Sequence, residues 1–234
     1  MVRLDTALRR LLRETGKLLQ QYGFDGTEPA WVRVEPGGVA SVGRTRVSRA
    51  WTDGQQVLSF GLNLNATPTP WWEFGNWRNV RLGLPSTPLE KATGPGLIDN
   101  HTLPAELTAM WSLRLDPEQQ GQHVLHTDID TIRAELPRRV HAYARRALRL
   151  VEPGRYLDEL LTHRALQSRT LEAIVVLLAD RGPGPHLDEA FDQLRKCSVE
   201  PDASIYAEDV IAYARSRAGA LGQIFDLDNE WEAG

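Results

Sequence analysis

Across residues 55–66 the chain reads QQVLSFGLNLNA, and Leu58, Phe60, Leu62 and Leu64 take every second position. Side chains alternate across a strand, so this spacing makes one apolar face, with Ser59, Gly61, Asn63 and Asn65 opposite. The segment is expected to be the central strand of an antiparallel sheet. Residues 31–35 alternate between Pro29 and Pro36, and residues 39–49 alternate less regularly. Pro36-Gly37-Gly38 and Thr52-Asp53-Gly54 lie between these runs, where hairpin turns need residues tolerant of positive φ. Residues 111–115, WSLRL, make a fourth strand closed by Asp116-Pro117.

A different period flanks the strands. Leu4, Ala7, Leu8, Leu11, Leu12, Leu18 and Leu19 recur at steps of three and four, which predicts an amphipathic helix over residues 2–21. Arg9, Arg10, Arg13 and Lys17 fill its other faces and read as a solvated surface. Gly23 is placed to stop it. From residue 124 onward the pattern is helical. Helices are expected over 126–136 and 138–151, separated by Pro137, then over 156–163, 167–180, 187–197 and 204–221, with an acidic tail over 226–234. The predicted class is α+β: an antiparallel sheet of about four strands, an N-terminal helix packed on it and a C-terminal helical region. The boundaries read as an α+β domain over 1–160 and a helical extension over 161–234.

Residues 67–110 hold no period. Prolines and glycines recur, and a long irregular stretch of this kind reads as a binding loop or lid. Trp71, Trp72, Phe74, Trp77, Arg78 and Arg81 crowd into it. Tryptophan and arginine supply large contact area and concentrate at binding hot spots. The competing reading makes the rings a satellite core under a folded-back loop.

Composition narrows the chemistry. The 234 residues are 41% hydrophobic and 25% charged, with a net charge of −4, so nothing drives the whole chain toward nucleic acid or an anionic membrane. The charge is uneven: residues 1–50 carry 9 basic and 5 acidic side chains, and residues 151–234 carry 8 and 16. Cys197 is the one cysteine, which excludes an internal disulfide and a cysteine-rich zinc site. With no apolar run of 18 residues and no leader-like opening, a cytoplasmic protein is expected.

His123, His126 and Asp130 form the densest group of potential metal ligands. Were residues 123–130 one helix, the two histidines would share a face with Asp130 one turn on. Asp128 and Asp130 equally suit a helix first turn, where carboxylates meet unpaired N–H groups. Asp99-Asn100-His101 offers an aspartate beside an imidazole, but turns favour these residues anyway. No serine elbow and no phosphate-binding glycine pattern occurs. Arg138, Arg145 and Arg149, with Arg139 and Arg146 nearby, would be the nucleic-acid face if there were one. No catalytic residue and no cofactor is assigned.

The order of parts resembles a known family. An opening helix ends in Tyr22-Gly23-Phe24, followed by a strand with Trp31, a strand near Val42, the strand Phe60-Gly61-Leu62-Asn63-Leu64, a strand at Trp111 and a helix carrying Pro137. This is similar to the bacterial family called domain of unknown function 4304, over roughly residues 3–165. The resemblance implies an α+β domain and no assigned activity. The expected role is a non-enzymatic protein-interaction module of immunity or adaptor type, binding a protein partner through residues 70–81 or the acidic C-terminal helices. The alternative is a small-ligand binder or enzyme with a cleft between the sheet and residues 67–110. A nucleic-acid or membrane partner is disfavoured.

Overall fold

The computed structural model describes residues 2–52, 54–98, 100, 102–118, 122–162, 167–197 and 201–232, with side chains of the last stretch described for 206–223. The chain is α+β and divides into two compact units that interleave along the sequence. The first comprises Met1–Glu35, Val39–Ala66 and Asp99–Leu150; the second comprises Pro36–Gly38, Thr67–Ile98 and Val151–Gly234. The sequence reading cut the chain once, after residue 160. By contact the chain passes between the units after residues 35, 38, 66, 98 and 150.

In the first unit, β1 (Val2–Arg3) leads into α1 (Leu4–Gln20). Helix α1 buries Leu4, Ala7, Leu11, Leu12, Thr15, Gly16 and Leu19, the stripe its period predicts. Strands β2 (Asp25–Thr27), β3 (Ala30–Glu35), β4 (Gly38–Arg44), β5 (Ser48–Thr52), β6 (Gln55–Phe60) and β7 (Leu62–Pro68) follow. They form a four-stranded sheet in the order β2-β3-β4-β7, while β5 and β6 join β8 (Trp111–Arg114) in a second sheet with β6 at its centre. A two-residue strand β9 (His123–Val124) pairs with β1, Val2 opposite Val124.

The leucine-rich run is therefore two strands in two sheets. The break falls at Gly61. Its N–H donates to the Thr45 hydroxyl at 2.8 Å, and the Thr45 N–H donates to the Gly61 carbonyl at 3.0 Å, so the ribbon bends on both strands at one level. A Cβ on Gly61 would lie 3.0 Å from Met110 Sδ, which favours glycine at the bend. The alternation survives the break: Leu58, Phe60, Leu62 and Leu64 are all buried. Each such side chain contributes about 1.5–3 kcal/mol through burial.

The short helix α3 (Ala105–Thr108) precedes β8, and α4 (His126–Leu150) closes the unit against α1. Pro137 does not divide α4 as expected; it sits inside one 25-residue helix. An interior proline removes one helical hydrogen bond and costs about 3 kcal/mol. The helix is kept by what it buries on both sides of Pro137: Ile129, Ile132 and Leu136 before, and Val140, Tyr143, Ala144, Ala147 and Leu150 after.

The second unit is helical: α2 (Thr69–Arg81), α5 (Arg155–Leu160), α6 (Ser168–Ala179), α7 (Pro185–Cys197) and α8 (Pro201–Glu232). Helix α6 buries nine of its 12 residues and packs against α2, α5, α7 and α8, which makes it the hub. Helix α8 continues to Glu232, beyond the predicted end at residue 221. Among the described residues no helix is long and apolar enough to cross a membrane.

Candidate functional site

The irregular stretch predicted over 67–110 is corrected at its most aromatic part: residues 69–81 are the helix α2. Pro70 lies in the first turn, where a missing N–H costs nothing because that group has no helical partner. Gly75 costs the helix about 1 kcal/mol. The helix ends as Leu82 N–H reaches the Arg78 and Asn79 carbonyls and Gly83 turns left-handed at φ 69°.

On α2, Phe74 is buried and ringed by Trp71 at 5.6 Å, Trp77 at 6.1 Å, Tyr206 at 6.4 Å and Tyr213 at 5.1 Å. Trp71, Trp72 and Trp77 are half-buried, and none is exposed. The satellite-core reading of the rings thus holds for Phe74 and for the inner faces of the tryptophans. Trp72 is tied down further: its Nε1–H donates to the Thr87 carbonyl at 2.7 Å. Asn76 grips the same residue, its Oδ1 accepting from the Thr87 N–H at 2.7 Å and its Nδ2 donating to the Thr87 carbonyl at 3.1 Å. These bonds strap residues 85–93 onto the helix.

Between helix and strap lies a cleft of about 270 Å³, bordered by Trp71, Trp72, Arg78, Thr87, Thr93 and Tyr206. Of the predicted binding residues, Trp71, Trp72, Phe74 and Arg78 line it. Trp77 and Arg81 do not; the Arg81 guanidinium stacks on Trp77 at 4.7 Å and reaches Asp209 at 3.3 Å. The Arg78 guanidinium lies over the Tyr206 ring at 4.2 Å, and its Nε is buried with no hydrogen-bond partner. Leaving a buried donor unmade costs about 1–3 kcal/mol, more on a charged group. Burial pushes the Glu172 carboxyl up from its ordinary range, while the Ser168 hydroxyl, Arg169 and Arg78 pull it down. Burial also raises the Tyr206 hydroxyl, with Glu172 adding to the rise and Arg78 opposing it. The cleft wall therefore holds one stacked cation and two indoles, and the half-buried Glu172, outside the wall, feels the Arg78 charge.

Tyr206 and Glu172 were not picked out from sequence. They come from helices more than 90 residues downstream, and neither stands in a motif. The edge of α2 carries a second feature: Val80, Leu82 and Leu84 are 67%, 57% and 53% exposed.

The remaining candidates do not assemble. The helix α4 begins at His126, so His123, in β9, does not share a helical face with His126 and Asp130. His123 is half-buried, while His126 and Asp130 are exposed. Among the described residues no three His, Cys, Asp or Glu side chains are placed to hold a metal. Asp128 is engaged as a structural acceptor: it takes the Arg114 backbone N–H at 2.8 Å and the Arg114 guanidinium at 2.5 Å. Asp99 and His101 lie outside the described residues; Asn100 donates to the Tyr143 hydroxyl at 2.8 Å. Cys197 is exposed. Of the α4 arginines, Arg139 is buried, stacks on Trp111 at 4.6 Å and meets Glu135 at 2.7 Å, whereas Arg138, Arg145 and Arg149 are exposed.

No family model matches the chain, and neither the curated proteins nor the solved structures yield a match. The resemblance to domain of unknown function 4304 accordingly remains an expectation from sequence.

Proposed function

We propose that this chain is a non-enzymatic binding protein and that α2 is its recognition helix, receiving an acidic side chain of a protein partner in the cleft beside Arg78. One observation carries the reading: a cation stacked on Tyr206, its Nε buried and unpartnered, at the wall of a hollow lined by Trp71 and Trp72. A carboxylate there would supply the missing acceptor and form a charge-assisted bond.

Size favours a presented group over a free ligand. At about 270 Å³ the cleft falls just below the usual 300–1,000 Å³ of small-molecule pockets. Its neighbourhood favours a protein as well. Val80, Leu82 and Leu84 form an exposed apolar rim at the end of the same helix, and such patches mark interaction surfaces.

The test is variant-dependent capture. A photo-crosslinker at Val80 in the source lysate should trap one stoichiometric partner. Arg78→Ala should weaken that complex about 30-fold, the scale of a hot-spot arginine, and Leu82→Asp should abolish it. Capture that is indifferent to both substitutions overturns the proposal, as does the absence of any discrete partner.

A further inference from the structure

We propose a second binding site, on α1 in the first unit, for the phosphate backbone of a single-stranded nucleic acid. Arg9, Arg13 and Lys17 recur every four residues, so they line one side of α1 at steps of about 6 Å. They form one wall of a hollow of about 400 Å³ whose floor is Leu12, Gly16 and Trp31 and whose far side is β2 and its turn. A second hollow, of about 580 Å³, shares Arg9 and Arg13 and adds Arg3 and Arg10. The two make a continuous cationic track along the helix.

Three observations separate this track from an ordinary solvated face. First, its cations are unspent. Arg9 Nε donates to the Asp5 carbonyl one turn back, and among the described residues Arg10, Arg13 and Lys17 make no side-chain hydrogen bond or ion pair. Second, two of the acids beside it are already occupied, which leaves Asp5, at the head of the same row, and Asp25 on β2 against five cations. Glu14 is held by Arg133 at 2.7 Å, and Glu28, which borders the hollow, is held by Arg44 at 2.9 Å. Like charges at four-residue spacing destabilise a helix, so the arrangement is kept at a cost that a bound polyanion would relieve. Third, the floor is shaped. Gly16 lets the Trp31 indole lie against the helix, where a Cβ would sit 2.8 Å from Trp31 Nε1. This sinks the floor below the cations.

The shape also selects among anions. The apolar stripe of α1 is already buried in the unit, so the helix has no free apolar face to lay on a membrane. A track of four or five cations over two hollows exceeds what one phosphate needs and suits a chain of them. The Trp31 ring is 4% exposed, so bases do not stack on it, and recognition is of the backbone without sequence preference.

The test is binding of a fluorescent 12-nucleotide oligo-dT to the full chain across a salt series. Binding in roughly the micromolar range at low salt is expected, with log Kobs falling against log salt at a slope near −3 for four or five phosphates. Arg13→Gln with Lys17→Gln should weaken binding about tenfold and flatten the slope by about 1.4. Arg138→Gln with Arg145→Gln, on the exposed side of α4, should leave both unchanged. All four positions are exposed, and circular dichroism checks that each variant is folded. No binding at 50 mM salt overturns the site. So does an equal loss in the α4 variant, or inorganic polyphosphate displacing the oligonucleotide at a tenth of its phosphate concentration.

Discussion

The two units solve the same burial problem with opposite charge. The first, built of sheets and two long helices, carries 16 basic and 13 acidic side chains; the second, built of helices, carries 11 and 18. In each, several groups of the minority sign are drawn into ion pairs. Glu14, Glu28, Asp128 and Glu135 of the first unit all sit on arginines. Arg81, Arg181, Arg195 and Arg217 of the second all sit on carboxylates. Among the described residues Arg10, Arg13 and Lys17 on α1 are left outside such pairs. Arg78 is a cation of the acidic unit whose buried Nε has no acceptor. Surface pairs contribute only about 0–1 kcal/mol each, so the sorting of charge bears more on partners than on stability.

Stability should come from the cores, and there the largest effects are expected. Phe60 and Leu113 in the first unit and Leu194 in the second are almost fully buried. Phe60→Ala should cost about 3–5 kcal/mol and Leu194→Ala about 2–5 kcal/mol in urea denaturation. If either costs under 1 kcal/mol, the corresponding core is not built as described.

A smaller effect separates the units by pH. In the second unit burial pushes the Tyr156 and Tyr213 hydroxyls up to about 12. A group whose folded pKa is raised contributes stability below its unfolded pKa and loses it as pH rises through the folded value. The unit should therefore lose stability between pH 10 and 12, with Tyr156 alone accounting for roughly 2–3 kcal/mol. Tyr156→Phe should reduce that alkaline slope in a pH series of thermal melts. An unchanged slope would break the link between this burial and the pH response.

The smallest effect concerns Glu172. Its raised pKa means the fold disfavours the ionised form, so the charge is a cost at neutral pH that falls away in acid. Glu172→Gln should raise Tm by ~1–2 °C at pH 7 and by less at pH 4. A fall in Tm would show that the carboxylate's attraction to Arg78 and Arg169 outweighs its burial.

Much of the first unit was legible beforehand. The three-and-four spacing of α1 and the alternation of Leu58, Phe60, Leu62 and Leu64 both survive as buried faces, because periodicity records which side of an element meets the core. The bend at Gly61 was not legible, since alternation runs unbroken through it. Pro137 misled because local propensity counts the lost hydrogen bond and not the apolar contacts gathered on either side of it. The helix α2 was missed for a related reason. Pro68, Pro70 and Gly75 read as punctuation, and its apolar residues lie all round rather than on one stripe. Its neighbours Tyr206 and Tyr213 supply the second half of the burial, and they are remote in sequence.

By itself, then, the sequence determined the class of fold, the inward faces of its regular elements and the presence of an aromatic and arginine cluster worth inspecting. These depend on spacing between near neighbours, which the chain states directly. Only the tertiary structure decided which acids neutralise which arginines, that Arg78 faces a cleft over Tyr206 with its Nε unpartnered, and that Arg9, Arg13 and Lys17 overlook a hollow floored by Trp31. Pairing and hollows are set by contacts between residues far apart along the chain, and no local pattern records them.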